Sequence, residues 1–132
     1  MTFKMKTITL YRPVGQIELD LIKASGYKEF PPRLSWQPIF YPVLDYEYAC
    51  TIAREWNTND DENGNVGYVT QFDVPLDYFQ RFEVQNVGGM NHNEIWVPAE
   101  ELTEFNQMIV DGIHITKAFY GEHFKGEKRA FR

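Results

Sequence analysis

A chain of 132 residues is long enough for one hydrophobic core and too short for two. Its 43% hydrophobic content, with 8 Tyr, 10 Phe and 3 Trp, belongs to a packed domain rather than a disordered chain. The net charge of -6 disfavours both nucleic acid and anionic membrane surfaces as partners. No stretch has membrane-spanning length and the N-terminus carries no signal-peptide apolar run, so the expectation is a cytoplasmic protein without a membrane partner.

Residues 7–119 are expected to form the single domain, with 1–6 and 120–132 as tails; the basic run Lys125 to Arg132 reads as solvated tail. Thr7 to Tyr11 predicts a strand that ends near Arg12, where Pro13 and Gly15 punctuate the chain. Ile17, Leu21, Ile22 and Ala24 predict the apolar stripe of a helix over 16–25, with Gly26 at its C-terminal cap. Phe30-Pro31-Pro32-Arg33-Leu34 must be a loop, because proline lacks the N–H that a helix interior or central strand needs.

Ile39 to Val43 predicts a short strand, and Asp45 caps a helix whose apolar face is Tyr46, Ala49, Ile52, Ala53 and Trp56. Asn57 to Asn65 has no apolar anchor and reads as an exposed turn. Val66, Tyr68, Thr70, Phe72 and Val74 alternate as in a strand with one buried face, stopped by Pro75. A helical turn over 75–81, a strand at 82–84, a sharp turn at Gly88-Gly89 and a strand at 94–97 follow. Pro98, Glu100 and Glu101 suit the first turn of a helix with Leu102, Phe105 and Ile109 inward, and Ile113 to Phe119 closes with a strand. The order β-α-β-α-β-β-β-α-β, with about three helices, is that of an α+β fold.

Several local motifs fail on their own chemistry. Asn59, Asp61, Asn63 and Gly64 match the opening of a calcium loop, but Thr70 stands where the bidentate carboxylate belongs. His92-Asn93-Glu94 resembles half of a zinc deaminase site whose two-cysteine half a one-cysteine chain cannot supply. His92 and His114 are too scattered to make a metal site the expectation, and none is assigned. Cys50 lies in an apolar helical setting that favours an inert thiol. No glycine-rich phosphate loop follows a strand.

Five segments carry a family resemblance: Leu10-Tyr11-Arg12-Pro13-Val14-Gly15, Phe30-Pro31-Pro32-Arg33, Pro38 to Leu44, Gly67-Tyr68-Val69-Thr70 and Glu94 to Leu102. Together they resemble small bacterial proteins labelled "ADP-ribosylation/crystallin J1", over roughly residues 7–119. The chain does not resemble the all-helical ADP-ribosylglycohydrolases that this label also suggests. It is similar instead to ADP-ribosyltransferases, whose split β-sheet holds NAD with one residue from each of three strands.

That resemblance implies an NAD-dependent enzyme, with NAD or ADP-ribose as ligand and ADP-ribose transferred to an unknown acceptor. Arg12 would contact a phosphate or ribose, Tyr41 would stack on the nicotinamide, and Glu94 would be catalytic, stabilising positive charge on the ribose. His92, with the cofactor-binding residues, stands where arginine-modifying toxins carry a second glutamate, and Phe40-Tyr41-Pro42 replaces their Ser-Thr-Ser, so arginine modification is not implied. The alternative is a non-catalytic module binding a small ligand or protein in an aromatic groove of Tyr11, Tyr41, Tyr68 and Trp96. The same aromatics would equally suit a subunit interface.

Overall fold

A computed structural model describes residues 5–128, and the start of the expected N-terminal tail and the last four basic-tail residues lie outside these described residues. Strand β1 covers Thr7–Val14, helix α1 Gln16–Ala24, strand β2 Ile39–Phe40 and helix α2 Tyr46–Glu55. Strand β3 covers Val66–Pro75, the one-turn helix α3 Leu76–Phe79, and strands β4 and β5 Val84–Asn86 and Asn93–Ile95. Strand β6 (Val97–Pro98), helix α4 (Leu102–Met108) and strand β7 (Val110–Tyr120) complete an α+β arrangement.

Strand β3 lies between β1 and β7, antiparallel to both. Beyond β1, Val43 exchanges hydrogen bonds with Tyr11 at 2.8 and 2.9 Å and sits opposite Glu94. The sheet therefore continues from β1 through the segment around Val43 to β5, which pairs with β4. The pairs Ile39–Pro98, Phe40–Val97 and Val43–Glu94 advance in step, so residues 39–44 and 93–98 share one antiparallel register that sets Tyr41 opposite Trp96.

Alternation along these strands divides the side chains between two cores. On one face Leu10, Val14, Phe40, Phe72 and Ile95 pack with Leu19 and Ile22 of α1 and with Leu102 and Phe105 of α4. On the other face Val43 and Val69 pack beneath Ala49, Cys50 and Ala53 of α2. Close approach of α2 requires Gly67, where any Cβ would overlap the backbone carbonyl of Ala53.

Several sequence expectations change, among them the strand placed at 82–84, which lies at Val84–Asn86, and the count of about three helices, which becomes four in the described residues with the one-turn α3. Strand β1 runs past Arg12 to Val14, because Pro13 faces Val69 in the ladder and is still accommodated. Helix α1 buries Leu19 and Ile22, three apart, and leaves Ile17, Leu21 and Ala24 exposed; of the expected stripe only Ile22 faces the core. Trp56 likewise falls outside the buried face of α2 and is exposed, since the helix ends at Glu55. Strand β3 is not one-faced: Val66 through Thr70 are all buried, because the strand is central and covered by helices on both sides.

The polar stretch after α2 is the expected turn, built as two short 3-10 turns that leave only Thr58 and Asn65 buried. The Asp60 carboxylate accepts from Asn63 Nδ2 at 2.6 Å and from the Glu62 N–H at 3.2 Å. Asn65 donates to Asp61 at 2.9 Å and is buried. These side chains satisfy one another, which explains order where the sequence offers no apolar anchor.

Candidate functional site

Arg12, Tyr41 and Glu94 lie on three neighbouring segments of the sheet, but their side chains do not meet on one face. Arg12 follows Tyr11 and so points with Leu10 and Val14 toward the α1 side. Its guanidinium lies 4.8 Å above the Phe40 ring and grips Glu18 through two hydrogen bonds of 2.6 and 2.9 Å. A planar guanidinium matched to both oxygens of one carboxylate is an anchored structural pair. Arg12 thereby ties β1 to α1.

Glu94 and Tyr41 belong to the opposite face. Glu94 faces Val43, whose side chain packs under α2, and Tyr41 lies two residues before Val43 on the same side of the strand. Glu94 is only 8% exposed, and one oxygen, Oε1, accepts the Trp96 indole N–H at 2.7 Å. Its other oxygen receives no hydrogen bond from the described residues and is not sealed from solvent. Desolvating a carboxylate with one donor satisfied is costly, so the position is held by its surroundings rather than chosen for stability.

Those surroundings are aromatic. His92 and Trp96 stand two residues either side of Glu94, hence on its face, and Tyr41 is set opposite Trp96 across the ladder. Tyr48, in the first turn of α2, stacks on His92 with ring centroids 4.2 Å apart and planes 14° from parallel. Burial first, and the Glu94 charge second, push the Tyr48 phenol up from its ordinary value of 10.0. Tyr48 is positioned by Asp45, whose carboxylate accepts the Tyr48 N–H at 2.9 Å and caps the helix.

The His92 ring is pressed against Gly89, where a Cβ would overlap it, so the Gly88-Gly89 turn of the β4–β5 hairpin makes room for the stack. Trp96 and Tyr41 remain 43% and 39% exposed, leaving an accessible aromatic rim around a nearly buried carboxylate. No basic side chain hydrogen-bonds or ion-pairs with Glu94 among the described residues. The arrangement can receive a cation through the free oxygen and the flanking ring faces.

The expected groove of Tyr11, Tyr41, Tyr68 and Trp96 is not assembled as such. Tyr68 turns to the other face and donates to Gln16 at 2.7 Å, because even and odd positions of a central strand serve different cores. Tyr11 is packed edge-on against Tyr46, with centroids 5.5 Å apart. Tyr48 takes their place, a residue with no local signal, since only the packing of α2 on the sheet brings it to His92 and near Glu94. Cys50 is buried, and burial pushes its thiol up from the ordinary 9.0, away from nucleophilic use. Exposed His114 approaches the Asp111 carbonyl at 2.9 Å through Nε2, on β7 and several strands across the sheet from Glu94. No family model, curated protein or solved structure matches this chain.

Proposed function

We propose that the protein is a binding module for a cationic organic group, a quaternary ammonium or a pyridinium ring, received by Glu94 among Tyr41, Tyr48, His92 and Trp96. The observation that carries the reading is the nearly buried Glu94 carboxylate, fixed at one oxygen by Trp96 and open at the other. Each desolvated cation–ring contact contributes about 0.5–2 kcal/mol, and the carboxylate, which pairs with no basic side chain among the described residues, supplies charge complementarity. The exposed Trp96 and Tyr41 rings would close over such a group.

The test is fluorescence titration with the N-methylnicotinamide cation, tetramethylammonium, NAD and ADP-ribose. The first three are expected to give a saturable change in Trp96 emission, absent in Trp96→Phe, whereas ADP-ribose, which lacks the pyridinium, gives none. Glu94→Gln should weaken cation binding by about tenfold, the loss of one charge-assisted contact. Equal binding of NAD and ADP-ribose, or a Glu94→Gln variant with undiminished affinity, overturns the reading.

A second reading keeps the enzyme that the family resemblance implies, an NAD-dependent ADP-ribosyltransferase with an ADP-ribosyltransferase-like split sheet. What favours it is the order of the sheet, in which adjacent segments carry Arg12, Tyr41 and Glu94. What weighs against it is Arg12, committed to Glu18 on the far face. Release of nicotinamide from NAD, abolished by Glu94→Gln while NAD binding persists, would put this reading first; its absence leaves the binding module.

A further inference from the structure

On the face away from Glu94, a cleft of about 1120 Å³ opens between the 26–33 loop, α4 and the start of β7. Tyr27, Phe30, Leu102, Ile109, Ile113 and Ile115 give it apolar walls. This volume is at or slightly above the upper end, about 1,000 Å³, of small-molecule sites. Asn106 braces one wall, accepting the Phe30 N–H at 2.9 Å and donating to the Phe30 carbonyl at 3.0 Å.

One half-buried charged group in this lining lacks an anion. Arg33 reaches the cleft, its Nε is buried without an acceptor, and it forms no ion pair among the described residues. Glu18, the neighbouring carboxylate, has both oxygens occupied by Arg12. Two guanidinium groups beside one carboxylate leave a positive charge uncompensated. Burial, then the Arg12 charge, lower the proton affinity of Arg33, while Glu18 and Tyr41 oppose this. The rim charges Lys28, Glu29 and Asp111 are exposed to water, whereas Arg33 is half-buried.

The cleft mouth also holds two non-glycine residues in the left-handed region, Tyr27 at φ 60° and Asp111 at φ 60°, joined where the Tyr27 carbonyl accepts the Ile113 N–H at 2.7 Å. Such conformations persist where surrounding structure enforces them, and they gather at ligand sites.

We propose that this cleft binds a small organic anion, its carboxylate or phosphate oxygens on Arg33 and its apolar body against the Phe30 and Leu102 walls. A guanidinium presents several donors in one plane to such oxygens, and the walls reward an attached ring over the bare ion. Glu94 lies across the sheet and takes no part in this site, although Tyr41 is close enough to Arg33 to influence its charge.

Calorimetric titration of the intact chain with benzoate, phenyl phosphate, benzyl alcohol and inorganic phosphate tests it, alongside the Arg33 Nε–H resonance in nitrogen-15 spectra. Benzoate or phenyl phosphate should bind tighter than neutral benzyl alcohol by about tenfold or more and shift that resonance, and the tighter of the two names the anionic group. Arg33→Gln should remove the advantage, Thr103→Trp, placed at the cleft, should block both aromatic anions, and Glu94→Gln should change neither. Anions no tighter than benzyl alcohol, an unmoved Arg33 resonance, or inorganic phosphate bound as well as phenyl phosphate each overturn the proposal. Thr103→Trp and the wild-type resonance decide the matter even where Arg33→Gln fails to fold.

Discussion

Arg12 and Glu94 illustrate how one residue's role depends on which side of a strand it occupies. Arg12 finds a bidentate partner and an aromatic platform, so its charge is consumed within the fold, while Glu94 keeps an oxygen free beside exposed rings. Gly67 makes a comparable point about size. A methyl there collides with the Ala53 carbonyl and pushes α2 off the sheet, disturbing both the second core and Tyr48. Gly67→Ala is expected to destabilise the protein by about 2 kcal/mol, within the range for overpacking, measured by urea unfolding. Unchanged stability would mean that α2 rides on the sheet more loosely than its buried alanines indicate.

At the scale of elements, α2 is the piece that joins fold to site. Asp45 satisfies the Tyr48 N–H at the helix start, Ala49 and Ala53 let the helix lie close to β3, and Tyr48 reaches His92 from the first turn. Asp45→Ala should cost about 1 kcal/mol through the lost cap, with an unchanged denaturant slope. It should also weaken cation binding at Glu94, because the turn carrying Tyr48 frays first. A stability loss with full cation affinity would separate the cap from the site.

Across the molecule, buried phenols and the lone thiol set the alkaline limit of stability. Burial pushes Tyr78 up to about 12 from 10.0, with Glu104 adding to it, and the Tyr78 hydroxyl has no hydrogen-bond partner among the described residues. Tyr11, Tyr46, Tyr48 and Cys50 are raised as well, burial being the first cause for each. A raised folded value means that the unfolded chain ionises first, so this stabilisation is complete below the unfolded values of 9.0 and 10.0. It is lost as pH climbs from there toward about 12, where folded Tyr78 itself ionises. The unfolding midpoint should accordingly fall from about pH 9 upward, and Tyr78→Phe should flatten that fall between pH 10 and 12. A midpoint independent of pH over this window would show that the phenols reach water in the folded chain.

Much of the fold was legible in the sequence because its signals are local. Asp45 before an apolar run, proline in the 30–34 loop, alternation along 66–74 and Gly88-Gly89 each fix backbone geometry within a few residues, and the strands and longer helices follow in order. Buried faces were less legible: Leu19 against Leu21, or the second buried face of β3, depends on what lies across the sheet. The candidate site was legible only as separate residues. Glu94, Tyr41 and His92 could be named from the chain, but a single step in register decides which face a strand side chain joins, and this parted Arg12 from Glu94. Nothing local marked Tyr48 or Arg33 as part of a site. Tertiary packing alone set Tyr48 on His92 and left Arg33 facing a cleft without an anion, because partnership between charges and rings is a property of distance in space rather than of spacing along the chain.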